Sequence, residues 1–369
     1  MIKVLFLVPN LGGGGAERVL VNLVNNMDRS KFDVTVQTIF YGGVNVERMH
    51  SDIKYICSNK RTFKGMSRVY AFLPAKLLYK NIIGKERYDV IVAYMHGIAT
   101  KVLCGAPKGI KKIAWLHTSN MQKMSLFKCF PTKKIAIKEV AKCDAIVGVS
   151  KTVTDRFAAH TGIKERMYTC YNTNETDVIE ALSKEPCVMP ADKRPVLCSV
   201  GRFTSEKGFS RLIDISYRLQ TEGVKHSLIL IGDGALREKL EKQVKDLEYK
   251  DVYFLGFQKN PYSYLAKSDL FVCSSYFEGF STATTEAVVL GVPGISTDVS
   301  GAKEILTAET QGMVVDNNDE DLYNGIKQMI EKIARGEIDK EKIKSNAERF
   351  GVKGSVEKVE ELLTFVVEG

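Results

Sequence analysis

The 369-residue sequence has no run of about eighteen or more apolar residues, so nothing in it reads as a membrane-spanning helix. It has no C-x-x-C pair. Its eight cysteines, at 57, 104, 129, 143, 170, 187, 198 and 273, do not cluster with the five histidines at zinc-ligand spacing. That pattern suits reduced core cysteines in a cytosolic protein. The start, Met1-Ile-Lys-Val-Leu-Phe-Leu-Val-Pro9, lacks a small-residue cleavage site and runs into glycines, so it reads as a first buried strand and not a signal peptide. There is no sequence repeat and no low-complexity segment.

Hydrophobic residues make up 44% and charged residues 26%, ordinary for a soluble enzyme, and the length calls for two domains. The net charge of +9 is unevenly spread. Residues 1–180 hold 28 Lys and Arg against 14 Asp and Glu, a balance of +14, whereas the remainder holds 25 against 30, a balance of −5. A basic half suggests an anionic partner: membrane headgroups, a lipid diphosphate or nucleic acid. Charge alone does not choose among them.

Short β-rich runs alternate with helix-period segments, the pattern of parallel α/β sheets. Strands are expected at Lys3–Val8, Asp33–Ile39, Val90–Ala93, Ile113–Leu116 and Ala145–Val149. The first helix shows one apolar face in Ala16, Val19, Leu20, Leu23, Val24 and Met27. Periodicity lapses over 172–195, where three prolines and polar residues fit an interdomain connection. Strands then resume at Val196–Val200, Ser227–Ile231, Val252–Leu255, Leu270–Ser274 and Gly294–Thr297, and Val356–Val367 reads as a closing helix. Two successive α/β units of about equal size are therefore expected, at 1–175 and 190–345.

Three loops carry chemistry. Gly12-Gly13-Gly14-Gly15 joins the first strand to the first helix, where glycines admit a ligand close to the backbone and the helix end favours an anion. No Gly-Lys-Ser/Thr follows, G-x-G-x-x-G is not completed, and no acid ends the second strand, so neither a P-loop nor an NAD site is spelled out. A tight turn without a ligand is the alternative. The second loop, Gly201-Arg202-Phe-Thr-Ser-Glu206-Lys207-Gly208, sets two cations five residues apart. They either clamp a diphosphate or pair with local acids such as Glu206. The third runs Glu278-Gly279-Phe280-Ser281-Thr282-Ala-Thr-Thr-Glu286-Ala287, with Gly291 and Pro293 as helix stop. Glu278 then sits at a strand's carboxyl end and Glu286 on the second helical turn. Between them the backbone N–H groups of about Ser281 and Thr282 are presented. One carboxylate can hold sugar hydroxyls beyond the phosphates and the other ribose hydroxyls behind them.

Over nearly its whole length the chain resembles glycosyltransferase family 4, the retaining family with the GT-B fold. The matching pieces are Gly13-Gly14-Gly15-Ala16-Glu17-Arg18, Trp115-Leu116-His117, Tyr171-Asn172, Gly201-Arg202…Glu206-Lys207-Gly208, Gly232-Asp233-Gly234, Leu255-Gly256-Phe257 and the E-x₇-E motif from Glu278 to Glu286. The resemblance implies two Rossmann-like domains facing across a cleft, with the helix at about 350–369 packing back on the first. It implies that Arg202 and Lys207 bind the donor diphosphate, that Glu286 takes the ribose, and that Glu278 lies beside the donor sugar. The N–H groups near Gly279, Phe280 and Ser281 meet phosphate, and the loop with Gly14 and Gly15 faces the diphosphate and acceptor. His117 lies near the reacting sugar, while His50, His96, His160 and His226 read as structural, though His96 follows a strand and can face the cleft. Thr173 stands where the family often has proline, which leaves the hinge less defined.

The function implied is a metal-independent, anomer-retaining hexosyltransferase without cofactor. Its donor is a nucleotide-diphosphate sugar, UDP preferred. Its acceptor is a lipid-linked saccharide in surface polysaccharide or glycolipid synthesis, at the cytoplasmic face of the plasma membrane. Asp319-Glu320-Asp321 spells Asp-x-Asp but opens a helix, where acids cap and favour the dipole. A nucleotide-sugar epimerase of the same fold is one rival. A basic nucleic-acid-binding protein is another, though no stacking platform or known motif accompanies the charge. From Met121 to Val140 apolar residues alternate with Lys123, Lys128, Lys133, Lys134 and Lys138. That segment is either an amphipathic contact with an anionic membrane or a solvated lysine face over a packed helix.

Overall fold

Strands buried on both faces of a parallel sheet read as unbroken apolar runs, and the central strands here are of that kind. The computed structural model describes residues 1–59, 66–122, 124–190, 195–308 and 310–369. Its elements run β1 (Ile2–Val8), α1 (Gly15–Asn26), β2 (Phe32–Thr38), β3 (Lys54–Cys57), α2 (Met66–Phe72), α3 (Ala75–Ile82), β4 (Val90–Ala93), α4 (Ile98–Cys104), β5 (Lys111–Leu116), α5 (Ser125–Lys128), α6 (Lys133–Val140), β6 (Ala145–Gly148), α7 (Lys151–Thr161) and β7 (Met167–Thr169). They continue with α8 (Thr176–Ser183), β8 (Val196–Val200), α9 (Phe209–Thr221), β9 (Ser227–Ile231), α10 (Arg237–Asp246), β10 (Val252–Gly256), α11 (Tyr262–Ala266), β11 (Leu270–Cys273), α12 (Thr282–Val289), β12 (Gly294–Thr297), α13 (Ala302–Ile305), β13 (Met313–Val315), α14 (Asp319–Ala334), α15 (Lys340–Ser345) and α16 (Val352–Glu368).

The chain divides into two compact units, residues 1–174 with 352–369, and residues 175–351. The first unit holds a seven-stranded sheet in the order β3-β2-β1-β4-β5-β6-β7, all of whose pairings are parallel. α1 covers it with buried Val19, Leu20, Leu23 and Val24. The C-terminal α16 lies beside α1, burying Val356, Val359, Leu362, Leu363 and Val366. Its Glu360 accepts the Asp28 N–H at 2.6 Å, and Ser355 bonds the Thr173 hydroxyl at 3.1 Å.

The second unit is a six-stranded parallel sheet ordered β10-β9-β8-β11-β12-β13. Its core joins Leu197, Leu212, Ile213, Leu228, Leu230, Leu270, Val272 and Ile295 to Leu322, Ile326 and Met329 of α14. α8 lies inside the stretch expected to be a plain connection. It packs on α11 and α12 but buries only Ile179, so its apolar periodicity is weak.

In both sheets the strand order reverses once, between β1 and β4 and between β8 and β11. Ligands of open α/β sheets bind outside the carboxyl ends of the strands at such reversals. The sequence places its glycine loop after β1, its Arg-Lys loop after β8, and Glu278 after β11.

Candidate active site

The second unit brings two of the three loops together. After β8 the chain turns through Gly201–Gly208, and Gly208 adopts φ +66 before α9 begins. A Cβ there would lie 2.0 Å from the Ser274 carbonyl oxygen, so glycine is required both by conformation and by close approach. That approach draws the loop after β8 onto the loop after β11. Ser274 Oγ donates to the Lys207 carbonyl at 3.1 Å, and the Tyr276 N–H donates to the Glu206 carbonyl at 2.7 Å. Lys207 Nζ then reaches Glu278 Oε1 at 2.7 Å, and Ser275 Oγ donates to the same oxygen at 2.7 Å.

The pair is mostly shielded, with 25% of the Lys207 side chain and 12% of the Glu278 side chain exposed. Burial works against the Lys207 charge, but Glu278 beside it outweighs burial and holds the ammonium pKa above its usual value. Lys207 pairs with Glu278 and not with Glu206. The exposed Arg202 makes no ion pair among the described residues. An ammonium with three donors can keep Glu278 and still bond a phosphate oxygen.

Glu286 stands on the second turn of α12, only 3% exposed, with the Tyr262 hydroxyl donating to its Oε1 at 3.5 Å. Ser281 caps α12 by accepting the Thr284 N–H at 3.3 Å. The Phe280 ring is buried 5.8 Å from Phe350, so Phe280 has only its backbone to offer a ligand. Gly279 and Thr282 flank it on the same turn.

One residue that the sequence does not single out, Arg211, holds this geometry. Buried Arg211 donates to the Ser274 carbonyl at 2.7 Å, the Ser275 carbonyl at 2.8 Å and Asn317 Oδ1 at 2.9 Å, and stacks 3.8 Å from the centre of the Tyr276 ring. It ties down the loop that carries Glu278. Nothing local in the sequence sets Arg211 apart, because its partners lie more than sixty residues away. Gly232-Asp233-Gly234 props the loop after β8: Phe203 N–H donates to the Asp233 carbonyl at 2.9 Å, and a Cβ on Gly232 would lie 1.9 Å from the Gly201 carbonyl oxygen. Asp319 lies 3.6 Å from Arg211, Glu320 bonds Arg218 at 2.7 Å, and the Asn318 side chain caps α14 at the Asp321 N–H.

In the first unit, none of Gly12 to Gly15 adopts a positive φ, so backbone strain does not explain the run. The Glu17 carboxylate folds over Gly14, where a Cβ would meet it at 2.2 Å. An anion arriving at the N-terminus of α1 must move that side chain.

His117 follows β5, its ring centre 4.9 Å from Tyr94. It bonds the Tyr94 backbone through one nitrogen, while buried Nε2 has no partner among the described residues. Burial, helped by nearby His96, pushes its pKa down to about 3, and burial lowers His96 to about 4. Both imidazoles are neutral at pH 7. With one nitrogen donating to a carbonyl, His117 Nε2 is left as an acceptor, suited to a sugar hydroxyl. Between about pH 5 and 8 the rate profile is therefore expected to carry no ionisation from His117. A limb near the ordinary histidine value of about 6.5 that disappears in His117→Ala would contradict this.

The segment 121–140 is not one amphipathic helix. α5 and α6 turn Leu126, Ala136 and Val140 inward, Met124 and Phe130 are buried beside them, and Lys128, Lys133, Lys134 and Lys138 stay exposed. Lys123 lies outside the described residues.

Two family models match the sequence. One, described as Glycosyltransferase Family 4, covers residues 13–177; the other, Glycosyl transferases group 1, covers residues 148–350, more than half the chain. The chain belongs to the group 1 glycosyl transferases. It is 26% identical over 369 residues, spanning 95% of this chain and 96% of the relative, to the N-acetylgalactosamine-N,N'-diacetylbacillosaminyl-diphospho-undecaprenol 4-alpha-N-acetylgalactosaminyltransferase of Campylobacter jejuni. It is 29% identical over 326 residues, 87% of this chain and 85% of the relative, to the lipopolysaccharide core biosynthesis glycosyltransferase LpsE of Rhizobium meliloti. Among solved structures, Anabaena Alr3699/HepE in complex with UDP and glucose superposes with a TM-score of 0.77 at 21% identity, covering 99% of this chain and 100% of that one. The glycosyltransferase thus has the GT-B fold, two Rossmann-like domains each built on a parallel sheet.

Proposed function

We propose that this glycosyltransferase moves a hexose from a UDP-sugar to a lipid-linked saccharide with retention of anomeric configuration and without a metal ion. The observation that carries the reading is the Lys207–Glu278 pair at 2.7 Å at the sheet reversal, with Glu286 buried on the helix that follows. In this reading Glu286 accepts hydrogen bonds from the ribose hydroxyls. Lys207 and Arg202 hold the diphosphate, and the backbone N–H groups from Gly279 to Thr282 at the start of α12 meet its oxygens. Glu278 takes a hydroxyl of the donor sugar, and His117 Nε2 accepts another. The same reading assigns a diphosphate contact to the loop with Gly14 and Gly15, which requires Glu17 to swing aside.

The acceptor hydroxyl attacks the anomeric carbon from the face that the diphosphate leaves. The bond from that carbon to the phosphate oxygen breaks with its electron pair going to phosphate, and the leaving phosphate takes the acceptor's proton. Cations near the phosphates stabilise the charge that develops there. The name of the Campylobacter jejuni relative specifies a diphospho-undecaprenol substrate, which supports the lipid-linked acceptor. The UDP in Anabaena Alr3699/HepE supports the choice of nucleotide.

The test is product analysis with a UDP-sugar panel and a lipid-linked saccharide, in which the new linkage keeps the donor's anomeric configuration. Release of free UDP with epimerised sugar and no acceptor present would favour an epimerase instead. Activity is also expected to survive metal stripping and excess EDTA, because Arg202 and Lys207 supply the neutralising charge. A complete loss rescued by manganese would refute that.

The basic first unit is proposed to hold the enzyme peripherally on the cytoplasmic face of the membrane, with no role in nucleic-acid binding. No helix among the described residues is long and apolar enough to cross a bilayer. Neutralising Lys128, Lys133 and Lys134 together should weaken sedimentation with anionic vesicles by about 1 kcal/mol per charge at most. Equal sedimentation with neutral vesicles, or no effect of salt, would contradict electrostatic docking.

A further inference from the structure

Residues 53–138 contain eighteen Lys and Arg and two acids, Glu86 and Asp89. Both acids are engaged, Glu86 with Lys54 Nζ at 2.9 Å and Asp89 with the Lys3 N–H at 2.7 Å. Within this basic stretch, α2 and α3 hold large apolar side chains in water: Phe72 is 89% exposed, Val69 50% and Leu77 43%. Val69 and Phe72 lie three residues apart and share a helix face.

The inward side of α2 is anchored. The Tyr70 ring lies 5.8 Å from Phe40, and its hydroxyl donates to Asn59 Oδ1 at 3.2 Å. Buried Lys101 donates from its ammonium to the Ala71 carbonyl at the last turn of α2. On α3, Leu78, Tyr79 and Ile82 pack inward, while Lys76, Leu77 and Lys80 are exposed. Phe40 and Asn59 follow the carboxyl ends of β2 and β3. α2 therefore sits at the sheet edge where β1 delivers Gly14 and Gly15 and β5 delivers His117.

We infer that this edge, formed by Val69, Phe72 and Leu77 with Lys76 and Lys80 beside them, inserts into the headgroup layer of an anionic lipid bilayer. Single exposed apolar side chains are ordinary on any protein. Three on adjoining helices, flanked by lysines in a stretch almost free of acid, have the composition of an interfacial segment. The lysines of α5 and α6 add attraction but less insertion, because Leu126, Ala136 and Val140 there are spent in the core and Ile135, at 41%, is less exposed than Val69 or Phe72. The inference rests on the lipid-linked acceptor proposed above and says where the enzyme meets the bilayer that carries it.

Phe72→Trp reports insertion directly, since the one native tryptophan, Trp115, is buried. With phosphatidylglycerol-containing vesicles its emission is expected to shift to the blue and to be quenched by brominated acyl chains, and with pure phosphatidylcholine to do neither. Phe72→Ser with Leu77→Ser should weaken sedimentation with the anionic vesicles roughly ten-fold or more. The melting temperature and circular dichroism spectrum of that variant should match those of the wild type, which verifies its fold. Vesicle binding with an unshifted Phe72→Trp emission, or undiminished binding of the double variant, would overturn the inference and leave charge-only docking. Failure of the lipid-linked reading itself is seen separately, as transfer to a lipid-free saccharide at the same rate as to the lipid-linked one.

Discussion

Lys207→Ala is expected to lower kcat/KM about a hundred- to a thousand-fold, the cost of losing one strong donor to developing charge in a shielded site. The loss has two parts. In the proposed site the diphosphate loses one of its two cations, and Glu278, 12% exposed, loses the ammonium at 2.7 Å while its negative charge stays beside the incoming phosphates. Lys207→Arg restores charge but not the compact ammonium that reaches Glu278, so partial recovery is expected. In Lys207→Ala with Glu278→Gln that negative charge is gone, and the double variant should lose less than the two single changes combined. Steady-state kinetics on all four variants check this. Strict additivity would mean that the two side chains act independently.

The second large effect separates nucleotide binding from sugar transfer. Glu286→Gln keeps the volume of a side chain that is 3% exposed but removes its charge. Charge-assisted hydrogen bonds are worth about 1.5–3 kcal/mol, so UDP affinity should fall roughly ten- to a hundred-fold. His117→Ala should behave oppositely. Its orphaned Nε2 is assigned to the sugar and not to the nucleotide, so turnover falls while UDP affinity holds.

Central strands were legible because parallel strands covered on both faces cannot avoid continuous apolar runs: β1, β4, β8, β9 and β12 lie within a residue of where the sequence puts them. β3, β7 and β13 were missed for the complementary reason. Each closes a sheet edge, is three or four residues long and is only partly buried, so its sequence carries no such run. The E-x₇-E stretch could be placed on a loop and a helix from the apolar run Leu270–Ser274 before it and the Gly291 and Pro293 stop after it. That Lys207 bonds Glu278 could not, since the contact spans 71 residues and depends on Gly208 and on Arg211 holding the loop between. The four glycines after β1 are plain in the sequence, whereas Glu17 lying over Gly14 is a matter of one side-chain torsion and has no sequence signature.

Calorimetric titration of UDP into the metal-free wild type, Glu286→Gln and His117→Ala tests the proposed nucleotide site most directly. The expected result is saturable binding by the wild type, binding weakened at least ten-fold or so in Glu286→Gln, and wild-type affinity in His117→Ala. Normal UDP binding by Glu286→Gln, or an equal loss in His117→Ala, would contradict a nucleotide site built on the second sheet around Lys207, Glu278 and Glu286.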